Sequence, residues 1–151
     1  MRVVIGSDHA GFDLKQIIKA LLERLGVPYE DVGAASNPSS DYPDFADAAA
    51  RQILAGRADR GILICGTGIG MSIAANKFPQ VRAAVCHDEF TAEICRRHND
   101  VNVLCLSADV PPDRTARIVE VWLHTAFEGG RHARRVEKIT ALEQHAGGSS
   151  T

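Results

Sequence analysis

No stretch of the chain approaches the roughly 20 consecutive apolar residues that a membrane span requires. The apolar run in the N-terminal MRVVIGSDHAG is too short for a signal peptide and reads as a strand, so the default compartment is the cytoplasm. Charge of one sign is also lacking. A net charge of −2 over 151 residues provides no field that steers the molecule to nucleic acid or a membrane surface. The four cysteines, Cys65, Cys86, Cys95 and Cys105, have neither CxxC spacing nor a paired-histidine motif. That argues against a zinc site and a disulfide framework, and leaves free thiols, three of them packing as small hydrophobes. Internal repeats and low-complexity segments are missing. So are the nucleotide signatures. GTGIGMS, from Gly66, brings its third glycine one position early for G-x-G-x-x-G, and it follows the third predicted strand instead of the first. GSDHAGFD, from Gly6, spaces two glycines like a P-loop, yet Phe12 and Asp13 replace the residues that would hold phosphate and magnesium.

What is present is ordinary soluble composition, 45% hydrophobic and 24% charged. The length suggests one domain, over residues 1–146, with a polar tail at 147–151. A domain of this size buries roughly two-thirds of its unfolded surface. Apolar runs of strand length alternate with segments of helical period. Strands are expected at 2–7, 27–33, 60–66, 81–87 and 101–107. Helices are expected at 11–26, 45–56, 70–78, 88–99, 111–127 and 129–146, with Asp88 as an N-cap. Five strands that read as continuous apolar runs, each followed by a helix, predict an α/β fold. It is a Rossmann-like three-layer α/β/α sandwich around a five-stranded parallel sheet, with an extended C-terminal helix. By analogy with other doubly wound sheets the expected strand order is 2-1-3-4-5. Ligands of such sheets bind beyond the carboxyl ends of the strands.

Titratable residues gather at those ends. Strand one ends in Ser7, Asp8 and His9, strand three in Cys65 and its glycine loop, and strand four in Cys86 and His87; His98 and Asn99 precede strand five. Any single histidine there is more often a hydrogen-bonding cap than a reactive group. The glycine loop is more specific, because successive N–H groups leading into a helix make a concave anion site. A second specific feature is GGRHARR, which puts Arg131, His132, Arg134 and Arg135 into the first turns of a helix. Cations are unfavourable at that end of a helix. Arg131 and Arg135 share a face and are suited to grip a phosphate. Arg96 and Arg97 lie at a helix C-terminus, where cations are favourable, and read as structural. A thiol, an N–H cradle, imidazoles, an Asp and an Arg pair fit proton transfer on a phosphorylated small molecule. Thiolates serve as bases, and the cradle would stabilise an enediolate oxygen.

Five blocks in order, GSDHAGFDLK, DYPDFA, GILICGTGIGMSIAANK, RHNDVNVL and FEGGRHARRVEKI, make the chain resemble the B-type ribose-5-phosphate isomerase family. That family also includes allose-6-phosphate and galactose-6-phosphate isomerases. The resemblance runs from Arg2 to about Ala146. It implies aldose–ketose isomerisation through a cis-enediol without metal or organic cofactor. Cys65 matches the base, and Thr67 with Gly66, Gly68, Ile69 and Gly70 matches the oxyanion loop. Asp8 and His98 match residues near the ring oxygen and hydroxyls, with His98 the helper in ring opening. Asn99 matches a hydroxyl contact, and His9, Arg131 and Arg135 match phosphate ligands. A homodimer or dimer of dimers with the site between subunits is implied, and neither nucleic acid nor membrane is a partner. Met71 stands where some members carry a Glu base, which places the chain in the cysteine branch. Asp109 stands where members often carry a phosphate-binding Arg.

The preferred reading is therefore interconversion of D-ribose 5-phosphate and D-ribulose 5-phosphate. The alternatives are the same chemistry on a hexose 6-phosphate, a non-catalytic sugar-phosphate or nucleotide-binding module, and a thiol redox protein.

Overall fold

The computed structural model describes residues 1–148. The chain runs β1 (Val3–Ser7), α1 (Phe12–Arg24), β2 (Tyr29–Asp31), α2 (Tyr42–Leu54), β3 (Arg60–Cys65), α3 (Ile69–Ala75), β4 (Ala83–Val85), α4 (Glu89–Asn99), β5 (Val103–Ser107), α5 (Pro112–His124) and α6 (Arg131–Gly148). The predicted alternation of strands and helices is therefore present. The tail expected from 147 falls mainly on 149–151, which lie outside the described residues. Among the described residues no helix is long and apolar enough to cross a membrane.

All strand pairs are parallel. The order is β2-β1-β3-β5-β4, which corrects the expected 2-1-3-4-5 in its last two positions. Burial explains the exchange. All five residues of β5 are buried, as an interior strand requires, whereas the three of β4 are only partly so and suit an edge.

Period-two alternation splits the apolar residues of each strand between two cores. Ile5, Ile62, Ile64, Leu104 and Leu106 face α1, α4 and α5, where Leu22, Ile118 and Trp122 complete one core. Val4, Leu63, Cys65, Val103 and Cys105 face α2 and α3. There the small side chains of Ala46, Ala49 and Ala50 let α2 lie close to the sheet. Cys65 thus points to the α2/α3 side because it is two residues from Leu63.

Local chemistry fixes the helix ends. Asp88 caps α4 as expected, accepting the Thr91 amide at 2.7 Å. The fully buried Lys15 of α1 donates to Asp31 at 2.8 Å and to the Ala34 carbonyl. Burial alone would raise the Asp31 pKa; hydrogen bonds from Lys15, Lys19 and the Gly33 amide outweigh it and hold the carboxyl below its usual value. This network fixes the turn after β2. That turn in turn holds the end of β1, through Ser7 N–H to Gly33 at 2.7 Å and Ala34 N–H to Ser7 at 2.7 Å.

Candidate active site

The end of β1 carries Asp8 and His9 past the edge of the sheet. The Asp8 amide donates to the Ile64 carbonyl at 3.3 Å, which places Asp8 beside the end of β3. Its buried carboxylate accepts the Gly11 amide at 3.1 Å. His9 and Ser40 bond reciprocally: the His9 amide donates to Ser40 Oγ at 3.1 Å, and the Ser40 amide to His9 Nδ1 at 3.1 Å. The long loop before α2 is tied to the strand end in this way, and it brings Tyr42 over the end of β3.

At that end Cys65 is 4% exposed. Its Sγ accepts the Gly68 amide at 3.2 Å. The loop is pinned from β5: Ser107 Oγ donates to the Gly66 carbonyl at 2.8 Å, and the Ala108 amide to the Cys65 carbonyl at 2.9 Å. Thr67 Oγ1 accepts the Ile69 amide at 3.2 Å. Gly68 has φ +80°, the left-handed region, and a Cβ there would lie 3.1 Å from the Leu106 carbonyl carbon. Gly70 is needed for a different reason, since its Cβ would stand 2.6 Å from the Tyr42 ring. The Gly70 amide, in the first turn of α3, has no acceptor among the described residues. In front of the thiol lies a cavity of about 420 Å³ lined by Asp8, Tyr42, Cys65, Gly66, Thr67, Ile69, Gly70 and Ile73. Ile69 and Ile73 leave it an exposed apolar rim.

His98, Asn99, Arg131 and Arg135 are elsewhere. Helix α4 returns from the carboxyl edge of the sheet, so its last turn lies where β5 begins. Cys65 pairs with Ser107, where β5 ends. The two groups are separated by the length of β5, on the order of 13–16 Å. At the far edge His98 stacks on His132, ring centroids 4.2 Å apart and planes 12° apart. His132 is buried, and its Nε2 lies 3.7 Å from Glu128 and 3.5 Å from Arg131 Nε. Burial first, then the adjacent His98 and Arg131, hold the His132 pKa below its ordinary value. Arg131, Arg135 and Asn99 are exposed beside this pair.

The ligand atoms of His98, Glu128 and His132 lie within 4.8 Å of one another. The fit to a metal is poor: stacked rings direct their in-plane lone pairs alongside each other, and Arg97 already binds Glu128 at 3.0 Å. Arg96 is buried and donates to Asp100 at 2.8 Å, the Val101 carbonyl at 2.8 Å and the Thr125 carbonyl at 3.0 Å, a structural role as expected. His87 and Asp109 are exposed. Neither Tyr42 nor His132 is among the site residues expected from sequence. His132 had a signal in the GGRHARR run, whereas Tyr42 had none beyond its place at a helix start.

A sequence model of the ribose/galactose isomerases matches residues 3–139. The chain is 48% identical over 144 residues to ribose-5-phosphate isomerase B of Escherichia coli, covering 95% of this chain and 97% of that protein. The structure of Clostridium thermocellum ribose-5-phosphate isomerase B superposes with a TM-score of 0.95 at 48% identity, covering 97% of this chain and 99% of that one. The type B ribose 5-phosphate isomerase of Trypanosoma brucei gives a TM-score of 0.90 at 44% identity, covering 93% and 97%.

Proposed function

The chain belongs to the ribose/galactose isomerase family and is an aldose–ketose isomerase of sugar phosphates, and we propose that it interconverts D-ribose 5-phosphate and D-ribulose 5-phosphate with Cys65 as the base. The observation that carries this reading is the Cys65 thiol at the back of the cavity, fixed by the Gly68 amide and flanked by Asp8 and the glycine loop.

With the open-chain aldose in the cavity, the Cys65 thiolate takes the C2 proton. The electron pair left on C2 forms the C1–C2 double bond of the enediolate, and the charge moves to O1. The unpaired Gly70 amide and its neighbours in the loop from Gly66 to Ile69, Thr67 included, face that developing charge. The Cys65 thiol then returns its proton to C1, while the O2 hydroxyl proton passes to O1. Hydrogen and electrons move within one molecule, so the step is closed without an external redox partner.

The phosphate and the ring oxygen need groups that one chain does not bring to this cavity. A second copy supplies them in our reading: His98 for ring opening, Asn99 for a hydroxyl, and Arg131 and Arg135, with His9 of the first copy, for the phosphate. Asp8 holds a sugar hydroxyl beside the thiol. Two features support a homodimer of this kind, the distance between the two groups within a chain and the exposed Ile69 and Ile73 at the cavity rim. Asp109 presents a carboxylate near the end of β5, so the phosphate grip falls to the α6 arginines and His9.

The experiment is ribulose 5-phosphate formation from ribose 5-phosphate by the purified protein in EDTA, with allose 6-phosphate and galactose 6-phosphate alongside. Turnover on the order of 1–10³ per second with the pentose supports the reading. Turnover confined to a hexose 6-phosphate would move the substrate and keep the chemistry.

A further inference from the structure

Two of the thiols that the isomerisation does not use lie side by side. Cys86 directly follows β4 and Cys95 is in the middle of α4; their sulfurs are 3.8 Å apart in a buried contact. The other polar contact of the Cys95 thiol is to the Ala92 carbonyl at 3.3 Å. Cys95 also borders a second cavity, of about 540 Å³, between the start of β4, α4 and α6, where it meets Ala84, Asn99, Val101 and Leu142. Cys95 is the member of the pair that opens onto this cavity, and Cys86, 1% exposed, lies directly behind it.

We propose that Cys86 and Cys95 are a peroxide-sensitive modification site, closing to an intrachain disulfide that repositions α4. The sulfurs have to approach from 3.8 Å to about 2.05 Å, a displacement small enough for side-chain rotation and a slight shift of α4. The oxidant is hydrogen peroxide or an alkyl hydroperoxide. Cys86 is the sulfur that reacts first: the hydrogen bond from Cys95 holds its pKa below the ordinary thiol value, while the same contact and burial push that of Cys95 up. Its thiolate attacks the O–O bond, which breaks; hydroxide or alkoxide leaves, and Cys86 becomes a sulfenic acid, oxidised by two electrons. The Cys95 sulfur then attacks Cys86, the S–O bond breaks, and water leaves as the S–S bond forms. With hydrogen peroxide two thiols give one disulfide and two waters. A thiol reductant reverses it.

The modification has a route to the site described above. Cys95 lies one helical turn before His98 and Asn99 on α4, so pulling Cys95 toward β4 moves the turn that carries them. This coupling, unlike the disulfide itself, rests on the proposed function.

The test uses the full chain with Cys65→Ala, which removes the competing thiol. It is exposed to hydrogen peroxide while folded, then denatured, alkylated and cut with trypsin. The peptide from Ala83 to Arg96 contains both cysteines and no others. The expected product resists alkylation, weighs about 2 Da less than the reduced peptide, and stays joined after cleavage between Asp88 and Glu93 until dithiothreitol is added. A peptide that still alkylates at both cysteines, or Cys86 oxidised to sulfinic acid without a link, overturns the site. Cys95→Ala and Cys86→Ala in the same background should each abolish the link. Affinity for ribose 5-phosphate is then compared between linked and reduced protein. Binding several-fold weaker in the linked form, recovered by reductant, is expected. Equal affinity overturns the coupling to α4. Failure of the reduced protein to bind any sugar phosphate counts against the functional reading and leaves the mass result standing.

Discussion

Cys65 is one of four buried thiols, and it is the one that faces the cavity at the carboxyl edge of β1 and β3. On the proposed function, replacing it with Ala removes the base and leaves the loop, Asp8 and the proposed phosphate ligands in place. The expected result is a loss in kcat of about 10²–10⁴-fold with KM little changed. Steady-state kinetics check this, and a variant with wild-type kcat would end the assignment of Cys65 as the base. His132 gives a different prediction, because its lowered pKa links protonation to stability. A histidine whose folded pKa lies below the unfolded value of about 6.5 binds fewer protons in the folded state. Its contribution is complete above about pH 6.5 and is lost as pH falls through the folded value. Urea unfolding between about pH 7 and 5 should show stability declining with acid, and His132→Gln should flatten that slope. Parallel slopes for the two proteins would show that the stack with His98 is not the source. At this scale Cys65 and Asp8 stand out in the sequence because each adjoins a glycine pattern at a strand end, and the fold brings both to one cavity. His132 read as one member of a basic run, because nothing in a linear sequence shows which cation turns inward to meet a ring 34 residues away on another helix.

At the level of the element, the loop between β3 and α3 depends on one left-handed residue. Gly68→Ala would place a Cβ 3.1 Å from the Leu106 backbone at φ +80°. A cost of about 1–3 kcal/mol is expected for a side chain forced into that region, and thermal unfolding measures it. The same residue donates its amide to Cys65 Sγ, so kcat should fall as well. A variant with unchanged melting temperature and unchanged kcat would mean that the loop tolerates another path. The elements themselves were legible from pattern: Gly26 and Gly56 end their helices, and Asp88 starts one as a cap. The order of β4 and β5 was not. Both follow an α/β rhythm that permits either placement, and the decision belongs to burial. VNVLCLS sustains an apolar run where the first strand residues of VRAAVCH offer Arg82 and alanines. Arg82 in fact donates to Asp100 and its carbonyl at the sheet's end, an arrangement suited to an edge.

At the scale of the molecule the fold places the two candidate groups at opposite ends of one sheet. The cavity with Cys65 opens among the carboxyl ends of the strands, while His98, His132 and the α6 arginines sit where β5 begins. The sequence contained both groups and their order, but a distance across a sheet is set by topology and is not written in spacing. If a partner chain completes each site, two inactive variants should repair each other. Cys65→Ala disables the thiol half, and His98→Asn disables the imidazole half. In a mixed dimer one site receives both lesions and the other receives neither. Random reassortment of equal amounts gives about half mixed dimers with one intact site each, so about a quarter of wild-type activity is expected after mild unfolding and refolding together. Each variant refolded alone remains inactive. A site built within one chain predicts that the mixture is as inactive as its components, because every chain then carries its own lesion. The recovered activity should also follow the fraction of mixed dimer as the input ratio is varied, reaching its maximum at equal amounts, which separates exchange of subunits from contamination by wild-type enzyme.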